Sequence, residues 1–248
     1  MEAAIGIELS SISLSFGQKV LFDDLDFSLI PGDKVTIVGE NGRGKSTFLH
    51  LLIGTVDLPY SGSRHVAGRI GYLPQHFEDV DGEKPALLIL LELLNDKDIG
   101  LWLLHSQFPF FSEKWIQELN SLGGHEIFRQ AHLIGLSPQL LQKPFKHLSG
   151  GEKTKTMLCG LSVMDSQLIL LDEPTNHLDL QGLQWLEDFL KRYEGGVIMI
   201  THDRSLINAV SNRISELSPH TKKFVHFKGG YKHYLEEVTA AKIIQCMD

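Results

Sequence analysis

An α/β fold built around a parallel sheet is the architecture this sequence predicts, on three observations. After residue 31, short apolar or β-branched runs (Lys34–Val38, Leu168–Asp172, Val197–Thr201) alternate with stretches of helical spacing, the pattern of strands joined by crossover helices. Residues 5–30 instead alternate apolar and polar side chains, as in Ile12-Ser13-Leu14-Ser15-Phe16 and Leu25-Asp26-Phe27-Ser28-Leu29, which marks an antiparallel strand region ahead of the core. Residues 76–147 have few β-branched runs and much Leu, Phe, Trp, Gln and Glu, and read as a mostly helical subdomain.

Composition narrows the possible functions. With 248 residues, 42% hydrophobic and 22% charged, the chain can bury a sizeable core in one large domain or two closely packed subdomains. A formal net charge of -8 argues against a generally cationic nucleic-acid binder. The two cysteines, Cys159 and Cys246, have no C-x-x-C spacing and form no framework; core packing or a tail position accounts for them. The most apolar stretch, Ala86 to Leu94, follows Pro85, contains Glu92 and closes at Asn95-Asp96-Lys97-Asp98, too short to span a bilayer. Met1-Glu2-Ala3-Ala4-Ile5 lacks the basic start and apolar core of a signal peptide. The expectation is a soluble, cytoplasmic protein.

Taken in order, Gly17-Gln18-Lys19 reads as the turn between the first two strands, with Phe16 at a strand end upstream of a glycine-rich loop. Phe16 is either a core aromatic or a platform on which a nucleotide base stacks. The loop, Gly39-Glu40-Asn41-Gly42-Arg43-Gly44-Lys45-Ser46-Thr47, matches G-x-x-x-x-G-K-[ST]. Glycines at 39, 42 and 44 let backbone N–H groups from 42 to 47 curl round phosphates, Lys45 reaches the β- and γ-phosphates, and Ser46 supplies a Mg²⁺ ligand. The strand Lys34–Val38 before it and helical spacing from Ser46 to Gly54 after it aim a helix N-terminus at the anion. A nucleoside triphosphate is the implied ligand.

Gly68 to Pro74 reads as a short strand ending in a loop, from which Gln75 reaches a metal or a water if that loop lies beside the phosphates. Within 76–147, Leu87–Leu94 and Trp115–Leu122 have helical spacing, packed by Trp102, Trp115 and the aromatic cluster Phe108-Pro109-Phe110-Phe111. Ser149 and Glu152 are spaced as a capping box opening a helix through Leu161. Gly150 and Gly151 in its first turn cost about 1 kcal/mol each in helix propensity, tolerated where a ligand approaches the backbone closely. Leu168 to Asp172 is a buried strand delivering Asp172 and Glu173 to the ligand edge of the sheet, and Val197 to Thr201 delivers His202 to the same edge. In that setting Asp172 holds Mg²⁺ through water, Glu173 polarises the attacking water and His202 meets the γ-phosphate. Leu183 to Tyr193 is an amphipathic helix between those strands, Lys222 to Phe227 a last short strand, and a helix begins near Tyr234.

Together these residues resemble the nucleotide-binding domain of the ABC ATPases over almost the whole chain. In family terms Gly39 to Thr47 resemble the Walker A loop, Gln75 the Q-loop glutamine, Leu148 to Glu152 the signature, and Leu168 to Asp172 Walker B. Glu173 is similar to the catalytic glutamate, Leu178-Asp179 to the D-loop, His202 to the switch histidine and Phe16 to the adenine-stacking aromatic. The resemblance implies an ABC-type P-loop ATPase domain: residues 1–75 and 148–233 as the ATP-binding core with its antiparallel strands, 76–147 as the helical signature subdomain, and 234–248 as the start of a C-terminal or linker helix. It implies ATP and Mg²⁺ as cofactors, with Ser46, Gln75 and Asp172 around the ion. It also implies a second cassette as partner, because each ATP lies between the Walker A of one domain and the signature residues Ser149, Gly150 and Gly151 of the other. Glu173-Pro174-Thr175-Asn176-His177-Leu178-Asp179, Glu152-Lys153-Thr154-Lys155 and Gly229-Gly230-Tyr231-Lys232-His233-Tyr234 resemble the ABC-F branch. That branch implies a soluble translation factor acting on the ribosome and its RNA, some members conferring antibiotic resistance. The alternative is the ATPase subunit of a membrane transporter, seated on a permease; Asn176-His177 stands where transporter subunits more often carry Ser-Ala.

Overall fold

A computed structural model describes residues 6–78, 80–94, 117 and 124–245. Two strands open the chain, β1 (Gly6–Phe16) and β2 (Lys19–Leu29), paired antiparallel about a turn in which Gly17 takes φ 60°. Ile7 and Leu9 face inward, and so do Ile12 and Leu14. That change of parity is absorbed by a register shift between Leu9 and Ile12, where Ser11 has φ 52°, the geometry of a bulge that restores the apolar face. A strand the sequence did not suggest, β4 (Tyr60–Ala67), pairs with the other side of β1. Its side chains are mostly exposed and carry no apolar alternation, so only its partner makes it a strand.

Among the described residues the second sheet runs in the order Ile70–Leu73 (β5), Leu168–Asp172 (β6), Gly196–Ile200 (β7), Lys34–Val38 (β3), Arg213–Leu217 (β8) and Phe224–Lys228 (β9). Its centre is β6 (Leu168–Asp172), β7 (Gly196–Ile200) and β3 (Lys34–Val38), parallel and buried almost throughout. Continuous burial on both faces is why these segments read as unbroken apolar runs. β5 (Ile70–Leu73) lies beyond β6, and β8 (Arg213–Leu217) pairs parallel with β3. β9 (Phe224–Lys228) returns antiparallel to β8. Helix α1 (Lys45–Ile53) follows β3 and buries Phe48, Leu49, Leu51 and Leu52. Phe48 sits edge-on to Phe22, Phe27 and Phe224, joining α1 to both sheets.

Contacts divide the chain into two compact units: Met1–Tyr72 with Ser166–Pro174 and Leu190–Asp248, and Leu73–Asp165 with Thr175–Phe189. The first holds both sheets. In the second, α2 (Ala86–Leu94) and α3 (His125–Leu133) pack on the helix Gly150–Val163, labelled α5, with the short α4 (Pro138–Leu141) and a 3₁₀ turn at Phe145–His147 between. Pro85 and Pro144 form an isolated antiparallel bridge, and Phe145 N–H donates to the Lys84 carbonyl at 2.8 Å. Cys159 is buried on α5 with its thiol pushed up to about 12 by burial, which fits the core-packing reading. The expected positions of Trp102, Trp115, Phe108, Phe110, Phe111 and Cys246 lie outside the described residues, as does nearly all of the helical stretch 115–122.

Among the described residues three further helices follow: α6 (Leu180–Arg192), α7 (Arg204–Val210) and α8 (Tyr231–Gln245). The last begins a turn before Tyr234, since Gly229 (φ 92°) ends β9 and the Gly230 carbonyl already accepts from Tyr234 N–H at 3.2 Å. Among the described residues no helix is long and apolar enough to cross a membrane.

Candidate nucleotide-binding site

The loop from Gly39 to Thr47 joins β3 to α1, as its spacing requires. Gly39, Gly42 and Gly44 take φ of 144°, 72° and 102°, a backbone region that L side chains resist. Gly44 is the residue before α1 and offers no side-chain cap, so the first N–H groups of the helix keep no side-chain acceptor there. Lys45 is buried, and its Nζ donates to the Gly39 carbonyl at 2.7 Å, the Glu40 carbonyl at 3.2 Å and Asn41 Oδ1 at 3.3 Å. Its ammonium therefore points across the loop rather than out of it. Burial pulls the Lys45 pKa down, while the charges of Glu173 and Asp172 oppose that shift.

Parallel pairing then brings the other groups to the same edge. Ile37 of β3 and Asp172 of β6 both stand opposite Ile200 of β7, so the residues that follow each strand leave the sheet at one level. Asp172 is 3% exposed. Glu173 has φ 51°, uncommon for a residue with a Cβ, and is held there by its N–H donating to the Ile200 carbonyl at 2.8 Å. Its Oε1 lies 3.4 Å from His202 Nε2, with the Glu173 side chain largely buried and the imidazole open to solvent. Burial raises the Glu173 pKa; His202 and Lys45 lower it and Asp172 raises it further. The same carboxylate of Asp172, after burial itself, helps push the Tyr72 phenol up to about 12.

Hard oxygen donors are what Mg²⁺ takes, commonly one or two carboxylates completed by substrate phosphates. A buried Asp172 and the hydroxyl of Ser46 on the first turn of α1 are a donor set of that kind. Among the described residues there is no group of three His, Cys, Asp or Glu able to hold a metal unaided.

Other expected residues belong to the second compact unit. Ser149 caps α5 as a full capping box: its N–H donates to Glu152 Oε2 at 2.7 Å, and its Oγ accepts from Glu152 N–H at 3.3 Å. The two glycines after it have a reason internal to the fold. A Cβ on Gly151 would lie 2.3 Å from the His177 carbonyl oxygen, and one on Gly150 would lie 3.2 Å from the His177 ring. Asp179 caps α6 by accepting from Gly182 N–H at 2.8 Å, and pairs with Lys155 at 2.8 Å; the Lys155 bond is the main cause of its lowered pKa. Gln75 is exposed in a bend after β5. In the first unit, Phe16 is 65% exposed, which removes the core reading for its ring.

Two features escaped the sequence. Lys19 Nζ donates to the Gly42 carbonyl at 2.7 Å, a bond between the first strand turn and the glycine loop that no spacing announces. A cavity of ≈ 250 Å³ beside Gly39 is lined by Glu40, Thr201, His202, Glu216, Tyr231 and Tyr234. Glu216 reaches it because β8 lies against β3, with Glu216 opposite Val38. Burial first, and then Glu216, raise the Tyr234 phenol.

The family model described as "ABC transporter" matches residues 22–176. The chain is 34% identical over 93% of its length to the uncharacterized ABC transporter ATP-binding protein YkpA of Bacillus subtilis, covering 45% of that protein. It is 32% identical over 96% of its length to the energy-dependent translational throttle protein EttA of Mycobacterium tuberculosis, covering 44%. It is also 32% identical over 93% of its length to ABC transporter F family member 5 of Arabidopsis thaliana, covering 30%. The chain thus spans less than half the length of these relatives. A solved ATP-binding subunit of an ABC transporter superposes over 90% of each chain with TM-score 0.69 at 19% identity, a likeness of fold. This chain belongs to the ABC transporter family, as an ATP-binding cassette with F-family relatives.

Proposed function

We propose that this cassette hydrolyses ATP and acts in translation, on the ribosome. The observation that carries the catalytic half is the meeting of Lys45, Asp172, Glu173 and His202 at one sheet edge behind a glycine loop. In the proposed reaction Lys45 exchanges its loop carbonyls for phosphate oxygens, and the N–H groups from 42 to 47 stabilise charge on the transferring phosphoryl. Glu173 accepts the proton of the attacking water, or orients that water; its raised pKa suits a base working near neutral pH. His202, 3.4 Å from Glu173, holds that carboxylate and meets the γ-phosphate. Asp172, Ser46 and Gln75 would hold Mg²⁺, which supplies charge neutralisation across the phosphates. Phe16 offers its exposed ring to the adenine. Ser149, Gly150, Gly151 and Asp179 serve the nucleotide of a second cassette, so hydrolysis needs a pair of them.

The translational half is supported by the EttA relative and by the residues from Glu173 to Asp179 and Gly229 to Tyr234 that resemble the ABC-F branch. Glu173→Gln is the decisive variant. Steady-state hydrolysis should fall ~10²- to 10⁴-fold while ATP binding persists. Co-sedimentation of that variant with purified ribosomes should occur with ATP and not without it. ATP binding without any ribosome pelleting would turn the reading toward a transporter ATPase.

A further inference from the structure

We propose that Lys19 is a positioning residue for the nucleotide: it holds the phosphate loop in its curled form from outside and ties that loop to the turn bearing Phe16. The inference rests on the reading of Gly39 to Thr47 as the triphosphate site. Lys19 is the first residue of β2, and the strand register sets it opposite Phe16 across the Gly17 turn. Its ammonium donates to the Gly42 carbonyl at 2.7 Å. In a planar trans peptide the C=O and the following N–H point in opposite directions. Holding the Gly42 oxygen toward Lys19 therefore turns the Arg43 N–H to the other side of the loop, and Arg43 lies within the N–H series that cradles phosphate.

Packing does not do this work at Gly42. The residue takes φ 72°, and a Cβ placed on it would meet nothing within 4 Å. A glycine in open space has many conformations to lose when an anion binds, so a bond that selects one of them beforehand raises affinity. Among the described residues Lys19 has no carboxylate partner, which leaves its positive charge to act on an anion at the loop. The second consequence concerns geometry. A base stacked on Phe16 and phosphates in the loop must be held a fixed distance apart, and Lys19 is a direct non-covalent link between those two supports.

The test is calorimetric titration of ATP and of ADP, each with Mg²⁺, into the parent chain, Lys19→Met, Lys19→Arg and Lys45→Ala, with thermal unfolding of each protein free of nucleotide. A charge-assisted hydrogen bond at an exposed position predicts that Lys19→Met weakens both nucleotides ~3- to 10-fold. Lys19→Arg, which keeps the charge and the donor, should recover most of that loss. The nucleotide-free melting temperature of Lys19→Met should match the parent, which separates positioning from a general loss of structure. Unchanged affinity in Lys19→Met, beside binding abolished in Lys45→Ala, overturns the role of Lys19 alone. Affinity lost only in step with a lowered melting temperature, or not recovered by arginine, overturns it too. No ATP binding by the parent, or binding indifferent to Lys45→Ala, overturns the nucleotide site and the inference together.

Discussion

Glycines open both the phosphate loop and the helix α5, yet the two pairs are there for opposite physical reasons. Gly42 and Gly44 have φ of 72° and 102°; Gly42 has open space around it and Gly44 only ordinary contact with the Phe22 ring. Gly150 and Gly151 are helical, with no positive φ, and are crowded by His177. In the loop it is backbone conformation that excludes a side chain; in α5 it is space. The obstacle at Gly151 is a main-chain carbonyl, so no trimming of a neighbouring side chain can relieve it.

Substitution separates the two causes. The largest stability effect should come from Gly151→Ala, which forces a Cβ against the His177 carbonyl and should cost ~1–3 kcal/mol in urea unfolding. Adding His177→Ala should not restore it, whereas the same second change should relieve part of any cost of Gly150→Ala, where the ring is the near neighbour. Gly42→Ala should cost ~1–2 kcal/mol, from left-handed strain alone. Equal behaviour of the double and single variants at both positions would erase the distinction between them.

Acidification acts in opposite directions on the charged edge of the sheet and on the capped start of α5. Glu173 has its pKa raised in the folded chain, chiefly by burial. Between the unfolded value and the folded one the native state binds the extra proton, so Glu173 contributes a stability loss that grows as pH rises through that window and is absent below it. Glu173→Gln should therefore raise the melting temperature of the nucleotide-free protein at neutral pH, with the gain shrinking toward pH 4. Glu152, held in its capping box, has a lowered pKa, so its contribution runs the other way and is lost on acidification. The smallest effect belongs to Asp179. Asp179 is itself exposed but its partner Lys155 is buried, so Asp179→Asn, which keeps the cap on α6 and removes the carboxylate charge from the lysine, should cost about 1 kcal/mol. Asp179→Ala, which loses the cap as well, should cost about 1 kcal/mol more.

The local parts of the site were readable from residue order. Strand, glycine loop and helix are contiguous from Lys34 to Ile53, and each constraint there acts within a few residues: β-branched burial, positive φ, the helix N-terminus. The carboxylates at the end of β6 and the histidine after β7 were readable for the same reason, since an apolar run of strand length ends where they begin. The sequence puts the start of the last helix near Tyr234 and not at Tyr231, because its first turn follows two glycines that carry no periodicity of their own. Neither β4 nor β8 is an apolar run, so local pattern does not mark them; exposed Tyr60 to Ser63 and the charged Arg213 and Glu216 become strand only by pairing with β1 and β3.

Residue order alone thus determined the glycine loop, its flanking elements and the identity of the charged groups, because those follow from short-range sterics and burial. Tertiary structure alone decided which strands are neighbours, and hence that Asp172, Glu173 and His202 leave the sheet level with Ile37. It also decided that Lys19 reaches Gly42, and that the His177 carbonyl stands over Gly151. Those contacts join residues more than twenty positions apart, and their geometry depends on strand register and on the path of the backbone between them, neither of which a local pattern of side chains encodes.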